Sequence, residues 1–200
     1  LRENGYHVIG LDQLMDFLDF SGQIPKRSVV ITFDEDLRSV YEIAFPILKE
    51  YGFPAVLFVR TDRVGNTGSL TWKQIAEMAE NGFEIGSETT TGRDLTKLKS
   101  GDSFRRYFSV MRGEISQSKK IIENRLKRPC RYLAYPGGKA NALVIAVLKK
   151  TGYRAAFTLK RGRNPVFVNP YLIHRSVIHG GYDMKKFKAK LSVFCRTELR

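Results

Sequence analysis

The chain has 200 residues, of which 42% are hydrophobic and 27% charged. That length and balance fit one domain with a buried core, and exclude a disordered chain, a collagen-like repeat and a small disulfide scaffold. The net charge of +14 is unevenly placed: residues 1–100 carry 11 basic and 15 acidic side chains, net −4, and residues 101–200 carry 23 and 5, net +18. A basic half admits a polyanion (acidic polysaccharide, nucleic acid, anionic lipid) and equally a solvated basic surface. No run reaches about 18 apolar residues, so no transmembrane helix is expected. Cys130 and Cys195 lack metal-type spacing and read as unpaired thiols. The chain lacks an initiator Met and opens inside what reads as a helix, so it is expected to be an N-terminally truncated fragment of a longer protein.

In chain order, Leu11 to Phe20 puts Leu11, Leu14, Phe17 and Leu18 on one helical face. Ser28 to Phe33 is a β-branched run and predicts a buried strand. Ser39 to Tyr51 predicts a helix perturbed by Pro46. Ala55 to Val59 predicts a strand, Thr71 to Asn81 a helix stopped by Gly82, and Phe83 to Gly86 a short strand. A long helix follows from Ser103 to Leu126, then a strand at Tyr132 to Tyr135, a helix from Ala140 to Thr151 and a strand at Ala155 to Leu159. Ile173 to Val177 reads as a sixth strand. Strand and helix alternate five times, which predicts a parallel α/β sheet wrapped by helices, with its site at the carboxyl ends of the strands.

That rule singles out three segments. Asp34, Glu35 and Asp36 follow the first strand; such a carboxylate cluster suits a metal or a general base, and also a helix N-terminus. Ser87 to Gly92 supplies hydroxyls and one acid, Glu88, which could ligate, cap, or form an ordinary polar loop. Tyr135-Pro136-Gly137-Gly138 is a permissive turn that could present amides to an anion. His7, His174 and His179 are the only histidines, and each is read first as structural. Trp72 opens a helix and reads as a packing residue before a sugar platform.

On the segments GYHVIGLDQL, VVITFDEDLRS, YEIAFPILKEYGFPAVLFV, LTWKQIAEMAENGFEIGSETTTGRDLTKL, RYLAYPGGKAN and GYRAAFTLKRGRNP, the chain resembles the polysaccharide deacetylase family. This is the NodB-homology domain of carbohydrate esterase family 4, and the likeness is strongest to the poly-β-1,6-N-acetylglucosamine deacetylase branch. It covers about residues 5–178, leaving 179–200 as a basic C-terminal extension of a single domain, 1–200. The resemblance implies a distorted (β/α) barrel, a divalent metal that is zinc in the family, an acetylated amino-sugar polysaccharide as partner, and a cell-envelope or secreted location. Nucleic acid is not an expected partner.

Residue by residue, the resemblance puts Asp34 on the general base, Glu35 on the metal-ligand Asp and Asp36 on a Gly. Glu88 falls on the first metal His and Gly92 on the second. Tyr135, Pro136 and Gly137 fall on the groove-lining third motif, with the Gly137 N–H on the oxyanion donor. The late general-acid His falls on His179, with His174 as runner-up. Zinc favours nitrogen and sulfur donors, so an oxygen set of Glu35 and Glu88 would shift preference towards Mg²⁺ or Mn²⁺ or leave the site without metal. The resemblance thus implies deacetylase activity that is weak, altered or lost, with a glycan-binding homologue or a basic polyanion-binding module as alternatives. Glu88→His with Gly92→His and Glu35→Asp is expected to restore zinc binding.

Overall fold

The structure is a computed structural model that describes residues 1–34, 37–98 and 100–192. Seven strands are present: β1 (His7–Val8), β2 (Ser28–Val29), β3 (Ile31–Asp34), β4 (Ala55–Val59), β5 (Phe83–Ser87), β6 (Tyr132–Ala134) and β7 (Ala155–Phe157). Between and after them lie α1 (Leu11–Leu18), α2 (Phe45–Glu50), α3 (Trp72–Glu80), α4 (Phe104–Leu126), α5 (Ala142–Lys150) and α6 (Met184–Leu191). β3 to β7 form one parallel sheet in sequential order, and β1 pairs with β2.

The sheet is buried on both faces, which is why its strands are near-continuous apolar runs. All five residues of β4 are buried and divide by parity. Ala55, Leu57 and Val59 join the core shared with α3, α4 and α5. Val56 and Phe58 face the other way, with Tyr132, Ala134 and Phe157, onto Leu11, Leu14, Met15 and Leu18 of α1. Met15 is buried with them, and the expected Phe17 packs, half-buried, against the same cluster. Gly86 is required where β5 passes β4 and β6: a Cβ there would stand 2.6 Å from the Phe58 ring and 3.0 Å from the Tyr132 carbonyl oxygen.

The helices begin where capping residues allow. Thr71 accepts from the Gln74 N–H and Gln74 reaches back to the Thr71 N–H, a reciprocal cap. Ser103, Asn141 and Asp183 cap α4, α5 and α6 by accepting from the N–H three residues on, without the return bond. Pro46 has the expected effect. The turn before it, Val40–Ala44, widens into a π-helix and Pro46 opens α2, where a missing N–H costs nothing.

Two sequence readings need correction. Ser28 to Phe33 is not one strand: Ser28 and Val29 pair with β1, the chain turns at Val30, and Ile31 onward joins β4. Ile173 to Val177 is not a strand either. Only Ile173 bridges to Phe157; beyond it, His174 is held by Asn164 and the Arg175 N–H donates to the Lys160 carbonyl.

A ladder of three tyrosines joins the carboxyl end of the sheet to its helices. The Tyr135 hydroxyl donates to the Tyr171 carbonyl (2.9 Å), Tyr171 to the Tyr153 carbonyl (2.7 Å), and Tyr153 to the Ile115 carbonyl (3.2 Å).

Candidate functional site

Because β3 to β7 are parallel, their carboxyl ends share one edge. Asp34 lies beside Phe58, Val59 beside Ser87, and Ala134 beside Phe157. The next residues of each strand therefore line one mouth: Arg60, Glu88, Tyr135 and Thr158.

Asp34 is clamped. Arg175 donates from Nη1 to Oδ1 at 2.5 Å and from Nη2 to Oδ2 at 2.8 Å, a bidentate pair. The same guanidinium donates to Thr32 Oγ1 (3.1 Å) and, from Nε, to the Thr158 carbonyl (3.0 Å), and it lies 5.4 Å over the Phe58 ring. Thr32 and Asp34 belong to β3, and Thr158 follows β7, the opposite edge of the sheet. One side chain can touch both edges only if the sheet curls into a half-barrel, and Arg175 spans the opening. The clamp fixes the plane of the Asp34 carboxylate while leaving it able to accept a further proton or hydrogen bond.

The second-motif loop is equally constrained. Glu88 is 9% exposed, and its N–H donates to the Val59 carbonyl (2.8 Å). Thr89 is buried with φ 66°. Its N–H donates to Ser87 Oγ (2.9 Å), and its own Oγ1 accepts from the Gly92 N–H (3.1 Å). Glu114 on α4 accepts from both the Thr91 N–H and the Thr91 hydroxyl at 2.8 Å. Gly92 has φ +69°, and a Cβ there would lie 2.5 Å from Cδ of Arg60 and 3.0 Å from its Nε. Arg60 thus fills the space beside Gly92, and its Nε and Nη2 donate to the two carboxylate oxygens of Asp62 at 3.1 and 3.3 Å.

Zinc favours nitrogen and sulfur donors, and the two positions on which the resemblance puts its imidazoles hold Glu88 and Gly92. Among the described residues no three His, Cys, Asp or Glu side chains come together. Gly92 has no donor atom, and the space beside it is filled by the Arg60 side chain, itself paired with Asp62. Glu35 and Asp36 lie outside the described residues. For the Glu88→His, Gly92→His expectation, a side chain at 92 would need a left-handed backbone and would have to displace Arg60.

The third motif turns through Gly137 at φ 61° and Gly138 at φ 70°. Tyr135 and Pro136 are buried, and burial pushes the Tyr135 hydroxyl well above the usual phenol range. The Tyr135 side chain is therefore core, and what this segment can offer a ligand is the backbone at Gly137.

His174 is structural: its Nδ1 lies 3.2 Å from the Arg163 carbonyl oxygen, and its backbone exchanges hydrogen bonds with Asn164. His179 is exposed, edge-on to Tyr182 at 5.2 Å, and among the described residues no hydrogen bond or ion pair ties it to Asp34 or Glu88. Trp72 packs on the core beneath Arg125. The sequence reading missed Arg175 and Arg60. Arg60 follows β4 directly, so the strand-end rule could have found it; Arg175 sits beside His174, which drew the weight.

A curled parallel sheet with an oriented carboxylate at its carboxyl edge is the architecture of carbohydrate deacetylase domains. The polysaccharide deacetylase family pattern matches residues 21–156, and the chain belongs to that family. It is 31% identical over 173 residues to a poly-β-1,6-N-acetyl-D-glucosamine N-deacetylase of Staphylococcus aureus, covering 82% of this chain and 60% of that protein. It is 28% identical over 189 residues to YxkH of Bacillus subtilis, covering 94% and 65%. This chain thus spans less than two thirds of the length of either relative. In fold it is similar to the Streptococcus pyogenes deacetylase PplD (TM-score 0.83, 23% identity, 94% of this chain and 81% of that one). It is also similar to IcaB of Ammonifex degensii (TM-score 0.82, 24% identity, 96% and 83%).

Proposed function

We propose that this domain holds an N-acetylglucosamine-type polysaccharide in its strand-end groove and has lost the family's zinc-dependent removal of acetyl groups. The observation that carries the reading is Arg60 against Gly92, a fixed cation in the space where the resemblance puts the second zinc imidazole. A zinc ion lowers the pKa of its bound water from about 15.7 to about 7, and Asp34 alone does not supply that activation. What remains suits binding: the clamped Asp34 as a hydroxyl acceptor, the backbone of the Tyr135-Pro136-Gly137 turn, and the polar loop from Ser87 to Gly92. On this reading the domain would work at the cell envelope or outside the cell.

The nearly buried Glu88 carboxylate favours a second reading. With Glu35 it would hold Mg²⁺ or Mn²⁺, Asp34 would be the base and His179 the acid. One experiment separates the two: a β-1,6-linked N-acetylglucosamine pentamer with and without Zn²⁺, Mn²⁺, Mg²⁺ or chelator, followed by calorimetry and acetate release. Binding that survives chelation without acetate supports the first reading. Metal-dependent acetate establishes the second. Binding to any polyanion that collapses with salt would instead mark a basic module.

A further inference from the structure

Beside the mouth lies a surface cavity of about 340 Å³ lined by Thr91, Arg93, Asp94 and Lys97. Its walls are held in place. Thr91 is fixed twice to Glu114, and the next residue, Gly92, donates to Thr89. Asp94 joins the cavity to the third-motif loop, because its Oδ2 accepts from Lys139 at 2.9 Å; Lys97 stands 4.0 Å from the same oxygen. Its Oδ1 accepts from the Thr96 N–H (3.0 Å) and hydroxyl (2.6 Å).

The only carboxylate of the cluster is therefore already engaged, while three cations, Arg93, Lys97 and Lys139, surround it. Arg93 differs from the two lysines. It is half-buried, and among the described residues it has no hydrogen-bond, ion-pair or ring partner. A guanidinium carries five donors in a fixed fork that matches a carboxylate or phosphate edge. Withdrawn from water on a braced loop without such an acceptor, it is poised to receive one. A merely solvated basic surface would leave its cations exposed, as Lys97 is.

We propose that Arg93, assisted by Lys97 and Lys139, forms a subsite for a compact oxyanion, a carboxylate or a phosphate. Such a group would be carried on the same glycan that enters the mouth. The identity of the carrier rests on the glycan-binding reading above; the anion site itself does not. The polymer recognised is then an anionic amino-sugar polysaccharide, and Arg93 sets that preference.

The test compares three β-1,6-linked N-acetylglucosamine pentamers by calorimetry at low salt: neutral, carboxylate-bearing and 3-phosphorylated. At least one anionic pentamer is expected to bind about tenfold tighter than the neutral one, the factor appropriate to one charge-assisted bidentate contact. The two anionic arms tell carboxylate from phosphate. Arg93→Gln is expected to bring that ratio to about one, and Arg93→Lys to recover part of it. Equal binding of neutral and anionic pentamers to the unaltered chain, or a ratio that survives Arg93→Gln, overturns the proposal. If no pentamer binds, the glycan reading falls, and inorganic phosphate titrated against the unaltered chain decides the anion site alone. A saturable shift of the Arg93 Nε–H resonance keeps it, and no shift removes it.

Discussion

Gly92→Ala is the sharpest probe of how this mouth is built. Two separable penalties act at that position. The backbone is left-handed at φ +69°, which costs an L-residue about 1–2 kcal/mol. The new methyl would also stand 2.5 Å from Cδ of Arg60, so the arginine stem or the loop must move; overpacking of this kind costs about 1–3 kcal/mol. The loop yields little, because the Gly92 N–H is held by Thr89 and the preceding residue by Glu114. The steric part depends on Arg60 and the backbone part does not. In an Arg60→Ala background, Gly92→Ala should therefore cost only the backbone part. Urea unfolding of the four proteins of this cycle gives the coupling directly, and about 1 kcal/mol or more is expected. Additivity to within about 0.5 kcal/mol would refute the placement of Arg60 over Gly92, and with it the main support for a displaced metal.

Three further outcomes are expected. Arg175→Met leaves Asp34 and Thr32 without their shared donor; for a partly buried pair the loss is about 1–3 kcal/mol by thermal or urea unfolding, with Arg175→Lys recovering less than half because the fork is lost. Burial pulls the Asp94 carboxyl up, but hydrogen bonds from Thr96 and Lys139 outweigh it and bring the pKa down from 3.8 to about 2. The folded value is below the unfolded one, so this stabilisation is present above about pH 4 and fades towards pH 2; Asp94→Asn should flatten that part of the Tm–pH curve. Burial pushes the Cys130 thiol up to about 12, so at fixed pH peptide-resolved alkylation of Cys130 should be slow in the folded chain and rise with urea in step with global unfolding.

The alternation of strand and helix was legible because each buried strand is a short apolar run bounded by turn residues, and the strand-end rule placed Asp34, Glu88 and the Tyr135 turn on one edge from periodicity alone. What escaped was long-range. The strand at Ser28 to Phe33 splits because β1 and β4 compete for its edge, and no local pattern encodes that competition. Arg175 is remote in sequence from Asp34, and an arginine beside a histidine in a polar loop gives no local sign of its partner. The Tyr135 ring could not be assigned to core or groove either, since both want an aromatic after an apolar strand. The φ of Gly92 was equally invisible: a glycine aligned with a lost ligand looks like simple erosion, whereas the backbone there is already bent around another side chain.

The sequential order of β3 to β7 bears on how the chain assembles as it is synthesised. Every strand pairs with its immediate predecessor, so the sheet can lengthen one βα unit at a time as the polypeptide emerges, with no wait for a distant segment. The Asp34–Arg175 pair is a long-range contact, with 141 residues separating its members. It closes only after the last sheet strand has been made. The mouth is thus completed only once Arg175 has been made, and a nascent chain released before that point would carry most of the sheet but no clamp on Asp34.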